Sequence, residues 1–215
     1  MTARQDVATE HHAWVDLYWL PLGGGDASHC VSWNGRVYEA FAARLERRHA
    51  CDLYHSALEV QLDADRFVIE MTPAWGDEQV DRGVVSTGSV GLPMLGRSRL
   101  FRYEVRRWRD GNIPDMAEAV ASPRRMSSDV ASAQRVLELV PSFPTATWGR
   151  DEQQTGDMWN SNSLVAWLLA CSGHVTGDIA PPARGRAPGW LAGLEVAARQ
   201  MPRLSLRPGA AMIDF

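Results

Sequence analysis

The chain has 215 residues, and its apolar and charged fractions of 45% and 22% are typical of a globular protein rather than a fibre or a disordered chain. A net charge of −4 does not favour a nucleic-acid-binding domain, which is usually clearly basic. No stretch approaches the roughly 20 apolar residues that cross a bilayer, so we expect no stable membrane insertion. Its three cysteines are widely spaced and odd in number, and the polar N-terminus lacks an apolar signal core; both observations favour a cytoplasmic protein.

The first half of the chain reads as strands around one helix. Residues 1–12 form a polar arm, and residues 14–20 are rich in aromatic and branched side chains, which predicts a strand. An apolar periodicity predicts a helix over 32–48. Two further strands, 53–62 and 66–71, are separated by Asp63-Ala64-Asp65, a sequence typical of a hairpin turn.

The second half changes to helix. We expect a long loop over 83–97, a fourth strand over 100–108, a helix over 129–140 capped by Ser127 or Ser128, a helix over 161–170 and a last helix over 190–200. Strands lie early and helices late, which predicts an α+β fold with a small antiparallel sheet packed against helices. No linker or repeat divides the chain, so we predict a single domain with a tail over 202–215.

His55 is a polar exception within an otherwise apolar predicted strand, so it is either a satisfied core histidine or a working base. Glu70 lies on the neighbouring strand of the predicted hairpin. A carboxylate beside an imidazole fixes its tautomer and stabilises the imidazolium, which is the orienting role in a catalytic triad. The functional interpretation therefore requires a register that places Glu70 beside His55.

A polar segment, Asn160-Ser161-Asn162-Ser163, stands directly before an apolar helix. Polar residues in this position act by default as an N-cap. The start of a helix also presents free N–H groups and the positive end of the helix dipole, which suit an oxyanion or an activated nucleophile. Three candidate polar residues are more than one cap requires, so this segment is the second candidate site.

Together the two segments resemble the circularly permuted papain-like (NlpC-type) superfamily, as in lecithin:retinol acyltransferase-like and PPPDE-type proteins. Those families present a His on a strand and, much later, an Asn-Cys pair that opens a helix, with Asn-Cys-Asn-His-Phe as a typical pattern. Residues 53–60 resemble the His strand and residues 160–164 resemble the nucleophile segment. The resemblance covers about residues 50–75 and 155–172, and the N-terminal 50 residues are not matched by it.

On this resemblance His55 takes the base position, Ser161 the position of the cysteine and Glu70 that of the third polar member, with N–H groups at the helix start as the oxyanion site. The chain departs from the family because its nucleophile position holds serine, whose hydroxyl must be deprotonated during attack. The resemblance implies a hydrolase or acyltransferase acting on an amide, thioester or ester bond. The alternatives are a catalytically inactive papain-like module that binds a peptide or lipid-like ligand, and a structural protein in which His55 is simply packed.

Aromatic side chains near these segments are candidates for the walls of an apolar substrate groove. We expect Trp75, Trp148 and Trp159 there, with Asn160 and Asn162 as polar contacts. The expected substrate is a small molecule, a peptide or a lipid-like compound, with no cofactor and no nucleic-acid partner. The substrate itself and the oligomeric state have no sequence signal.

Two further groups of residues, one of His and Cys and one of Arg, are weaker candidates for a functional site. His29, Cys30, His49 and Cys51 are zinc-ligand types without the spacing of compact metal sites, so no metal is predicted. A basic stretch of arginines predicts either a solvated strand face or a surface for an acidic or phosphate-bearing partner. It comprises Arg97, Arg99, Arg102, Arg106, Arg107 and Arg109.

Overall fold

The computed structural model describes residues 12–22, 51–74, 82–113, 115–183 and 185–204, and within these ranges the chain forms seven strands and three α-helices. The strands are β1 (Ala13–Pro21), β2 (Asp52–Leu62), β3 (Asp65–Pro73), β4 (Val84–Ser89), β5 (Arg102–Arg109), β6 (Arg124–Ser127) and β7 (Gly185–Arg186). The helices are α1 (Val130–Leu139), α2 (Ser161–Cys171) and α3 (Trp190–Leu204). The predicted α+β class is confirmed.

The main sheet has the strand order β4-β5-β3-β2-β1-β6, and every neighbouring pair in it is antiparallel. The short strand β7 pairs in parallel with the first residues of β2. The predicted hairpin between β2 and β3 is present, and its turn residue Asp63 has a φ of 54°, a conformation that aspartate tolerates better than most residues. The β2–β3 connection is a two-residue turn, whereas twelve residues join β4 to β5.

Strand alternation gives the sheet two different faces. One face carries apolar residues such as Leu17, Leu58 and Ile69, which pack in one cluster with buried residues of all three helices. Helix α2 lies deepest in this cluster, because its side chains are buried on every side from Ser161 to Leu169. The opposite face carries a smaller apolar cluster around Leu20 and a set of buried charged side chains.

Several elements differ from their sequence-based expectations. Strand β4 lies within the segment predicted as a loop, because its small polar residues form a ladder with β5. Strand β6 was not predicted; it pairs with β1 at the edge of the sheet. The cap of α1 is Asp129, whose carboxylate accepts from the Ser132 N–H at 2.7 Å, rather than either preceding serine.

Helix α3 is longer than its sequence predicts, and two N-terminal segments are not described. Helix α3 continues to Leu204, past the position where Pro202 was expected to end it. The predicted helix over 32–48 and the polar arm over 1–11 lie outside the described residues. None of the described helices is both long and apolar enough to cross a membrane.

Candidate active site

The start of α2 is held by a capping box. The Asn160 side-chain oxygen accepts from the N–H groups of Asn162 at 2.9 Å and Ser163 at 3.4 Å. In return the Ser163 hydroxyl accepts from the Asn160 N–H at 3.1 Å. Asn160 and Ser163 therefore provide hydrogen-bond partners for the free N–H groups at the start of the helix, as the two residues of a capping box do in general.

Asn162 anchors this helix start to strand β2. Its side-chain amide donates to the Tyr54 carbonyl at 2.9 Å and to the Pro188 carbonyl at 2.8 Å. Its side-chain oxygen accepts from the Ser56 hydroxyl at 2.8 Å. Because Asn162 is fully buried, these bonds form in a low-dielectric environment where they fix position firmly. The start of α2 is thus attached to the two residues that flank His55.

The edge of β2 is open at this point, which is why a helix can reach it. The ladder between β2 and β3 ends at the Leu58–Ile69 pair. Trp19, the β1 partner of Ser56, directs its own N–H and carbonyl towards Ser122 and Val120 on the other side of β1. The alternation of an antiparallel ladder then directs the backbone groups of β2 at this position away from β1. Asn162 occupies the edge that β3 has left.

His55 is half-buried and is paired with Leu20 across the β1–β2 ladder. Strand alternation places its side chain on the opposite face from that of Ser56. Burial lowers the pKa of His55 to about 4. The imidazole is therefore neutral near pH 7, the protonation state that a general base needs, but a pKa this low also makes it a weak base.

Ser161 differs from its three neighbours in the polar segment. It is the first residue of α2 and is buried, yet neither its hydroxyl nor its N–H forms a hydrogen bond with another described residue. The N–H groups of Asn162 and Ser163 are occupied by Asn160. Of the N–H groups of Ser161, Asn162 and Ser163, only that of Ser161 has no hydrogen-bond partner among the described residues. No hydrogen bond joins Ser161 to His55.

The predicted contact between Glu70 and His55 is not formed. The Glu70 carboxylate accepts from Arg106 on β5 at 3.1 Å, and the β3–β5 register places these two residues directly opposite each other. Burial raises the pKa of Glu70 and the Arg106 guanidinium opposes that rise. A carboxylate in contact with His55 would raise the histidine pKa, whereas burial alone accounts for its lowering. Glu70 belongs to a separate ionic cluster.

Four of the five residues expected around a substrate groove lie in the described part of the chain. Trp159 is buried in the core, stacked on Phe143 with ring centroids 4.9 Å apart. Trp148 is half-buried, with its ring edge-on to Tyr103. The side-chain amides of Asn160 and Asn162 form hydrogen bonds within the protein. These four residues build the structure around the site, and Trp75 lies outside the described residues.

The segment before α3, which binds the start of α2 through Pro188 and Gly189, was not identified from the sequence. The Pro188 carbonyl accepts from both Asn160 and Asn162, at 2.8 Å each. The Gly189 N–H donates to the Asp157 carboxylate at 2.7 Å. Gly189 has a φ of 90°, a conformation that favours glycine, so the Pro-Gly pair before α3 was the available signal.

The remaining candidates give no metal site in the described part of the chain. Within those ranges, no three His, Cys, Asp or Glu side chains lie together as ligands. His29, Cys30 and His49 lie outside the described residues. The basic stretch is not a simple solvated face, because Arg106 is buried.

The comparisons with known proteins add no relative: no family model, no curated protein and no solved structure matches this chain.

The neutral state of His55 leads to a testable pH dependence of stability. Its pKa is about 4 in the folded chain and 6.5 unfolded, so the unfolded state binds more protons between these values. Stability is therefore fully present above pH 6.5 and falls as the pH drops towards 4, by about 3 kcal/mol from this group. We expect His55→Gln to flatten that decline in urea unfolding measured across the window.

The control is the wild-type chain under the same conditions. Burial also lowers the pKa of His174, and this second histidine contributes equally to both proteins, so the difference between the two curves isolates His55. Curves that stay parallel from pH 6.5 to 4 would show that the His55 ring is as well hydrated in the folded chain as in the unfolded one.

Proposed function

We propose that this chain is a hydrolase or acyltransferase of permuted papain-like fold, acting on an amide, thioester or ester bond in the cytoplasm. Ser161 is the nucleophile and His55 the base. The observation that carries the proposal is the anchoring of the α2 start by Asn162 to both neighbours of His55, with Ser161 beside it. In the same segment neither the hydroxyl nor the N–H of Ser161 forms a hydrogen bond with another described residue.

In the proposed reaction His55 accepts and then releases a proton in each of the two half-reactions. The Ser161 hydroxyl oxygen attacks the substrate carbonyl carbon while the neutral imidazole takes its proton, and the Ser161 N–H donates to the developing oxyanion. The leaving amine, alcohol or thiol takes that proton from His55. Water, or an acceptor alcohol or amine, then attacks the acyl-serine ester, and its proton returns through His55 to Ser161. Strand alternation places the His55 side chain on the opposite face of β2 from Ser56 and the start of α2. The proposal therefore requires that substrate binding rearrange this end of β2 until the imidazole reaches the Ser161 hydroxyl.

The experiment is labelling of the folded chain with a fluorophosphonate, which phosphonylates an activated serine, followed by peptide mass spectrometry. We expect modification at Ser161, its loss in Ser161→Ala, and a fall of about 100-fold or more in labelling rate in His55→Gln, in line with removal of a general base. Ser172→Ala is the matched control, because Ser172 follows the other end of α2 and bonds to the Leu168 carbonyl at 2.6 Å. Its labelling should equal that of the wild type.

A second candidate is a catalytically inactive binding module of the same fold for a peptide or lipid-like ligand. It is favoured by the engagement of Glu70 with Arg106, which leaves His55 without a hydrogen-bonded carboxylate among the described residues. Ser161→Cys separates the enzyme from the binding module. A thiol that His55 can deprotonate is alkylated by iodoacetamide even where the serine hydroxyl is unreactive. An unlabelled wild type with rapid, His55-dependent alkylation of that variant supports the binding module. Absence of both reactions contradicts both candidates.

A further inference from the structure

The connection between β4 and β5 carries an exposed surface that the proposed site does not use. Two 3-10 turns, Pro93–Arg97 and Arg99–Phe101, form this connection. Met94 is 88% exposed and Leu100 67% exposed, and Leu92 and Phe101 are also exposed. We call this surface the apolar–basic patch; it consists of Leu92, Met94, Leu100, Phe101, Arg97 and Arg99. Large apolar side chains that protrude together from one connection are unusual for a chain that meets only water.

The patch is positively charged although the chain as a whole is not. The segment 90–103 contains three arginines and no acidic residue, within a chain of net charge −4. Arg97 and Arg99 are exposed. Arg102 donates to the Gly96 carbonyl at 3.2 and 3.1 Å, which ties the first turn to the start of β5. Exposed apolar side chains and exposed guanidinium groups therefore occur together on one short connection.

We propose that the apolar–basic patch docks the protein peripherally on an anionic lipid bilayer. Protruding Met94 and Leu100 can enter the boundary between headgroups and acyl chains, while Arg97 and Arg99 meet lipid phosphates. Guanidinium groups bind phosphate oxygens in a bidentate manner, which suits this arrangement. The cytoplasmic leaflet carries such a negative surface, which agrees with the proposed localisation.

A fluid bilayer fits the patch better than a folded partner does. Side chains that are 67% and 88% exposed form protrusions, which a rigid protein surface accepts only with matching pockets, whereas lipid rearranges around them. A second copy of the chain is disfavoured because a twofold interface would bring the arginines of the patch against one another. An acidic protein is the remaining alternative, and the experiment separates it from lipid.

The patch is continuous with the start of α2 through backbone hydrogen bonds. The Trp148 N–H donates to the Ser89 carbonyl at 2.9 Å and its carbonyl accepts from Gly91 at 3.0 Å. The Gly149 N–H donates to the Trp159 carbonyl at 2.8 Å, next to the cap of α2. Docking does not depend on Ser161 chemistry, so its failure and the failure of the proposed activity are distinguishable.

The experiment is vesicle flotation of the full chain with phosphatidylcholine alone or mixed with phosphatidylglycerol. We expect binding to the anionic vesicles and loss of binding at high salt. Arg97→Gln should weaken partitioning about fivefold, and Leu100→Ser or Met94→Ser about fivefold to tenfold. Leu191→Ser is the matched control, because Leu191 on α3 has the same 67% exposure as Leu100 but lies outside the patch; it should bind like the wild type.

Three results would overturn the docking proposal. The first is equal flotation with neutral and anionic vesicles, or with neither. The second is a loss in Leu191→Ser as large as that in Leu100→Ser. The third is binding of polyglutamate by the wild type, lost in Arg97→Gln, without vesicle binding; this would assign the patch to an acidic protein.

Discussion

Asn162→Ala is expected to lower the free energy of unfolding by about 2–5 kcal/mol. The substitution removes the side-chain NH2 group that donates to the Tyr54 and Pro188 carbonyls. It also removes the oxygen that accepts from the Ser56 hydroxyl. A buried donor or acceptor left without a partner costs about 1–3 kcal/mol. The Pro188 carbonyl keeps its bond from Asn160, so the Tyr54 carbonyl and the Ser56 hydroxyl bear the loss. Urea unfolding monitored by tryptophan fluorescence measures it.

Ser161→Ala is the matched control for this prediction. The two residues are neighbours in the first turn of α2 and both are buried, but the Ser161 hydroxyl makes no hydrogen bond with a described residue. Its removal is expected to change stability by no more than about 0.5 kcal/mol. The proposed nucleophile and a structural asparagine thus lie next to each other in the chain. Equal losses in the two variants would mean that Asn162 does not hold the helix on β2.

The start of α2 shows what could be predicted from sequence and what could not. The capping box is local, so the pattern of polar residues before an apolar run was sufficient to place the helix start. The partners of Asn162 are Tyr54, Ser56 and Pro188, which lie far away in the chain. Nothing in the segment distinguishes an asparagine that anchors the helix from one that contacts substrate, so the anchoring role of Asn162 could not be predicted from sequence.

Glu70 illustrates a limit of register prediction. The hairpin of β2 and β3 was predicted correctly because its turn and its two apolar runs are contiguous. The partner of Glu70 is set instead by β5, which pairs with β3 after a connection of nearly thirty residues. Side chains on a strand meet neighbours on both sides, and although a strand over 100–108 was predicted, its pairing with β3 was not. Strand β4 was missed for a related reason, since its ladder with β5 rather than its own composition makes it a strand.

Arg106→Met is expected to lower the free energy of unfolding by about 3–5 kcal/mol at neutral pH. Arg106 is buried and donates to Glu70 at 3.1 Å and to Glu104 at 2.7 Å. Methionine keeps much of the volume but leaves two carboxylates facing each other in a poorly hydrated place. Removing one partner of a buried ion pair generally costs this much, because the other charge stays buried and uncompensated.

The penalty of Arg106→Met should shrink as the pH falls. Burial raises the pKa of Glu70 above 4.5 even with the guanidinium present, so its removal raises that pKa further. A carboxyl group with a raised folded pKa stabilises most below the unfolded value, and this contribution is lost as the pH rises through the folded value. The variant should therefore recover stability on acidification towards pH 4.5. Glu70→Gln added to Arg106→Met should recover much of it at neutral pH, because the amide imitates the protonated acid.

Arg109→Met on the same strand is the matched control. Arg109 pairs with Asp65 but is 64% exposed, and surface pairs contribute about 1 kcal/mol or less. Its cost should be small, with no recovery in acid, because both charges stay hydrated when the pair is broken. A loss in Arg106→Met no larger than in Arg109→Met would contradict the ionic cluster. So would a loss that does not change with pH, since it would have to come from packing rather than from an uncompensated charge. A cluster that behaves as predicted explains why Glu70 is unavailable to His55, and it confines the proposed chemistry to Ser161 and His55.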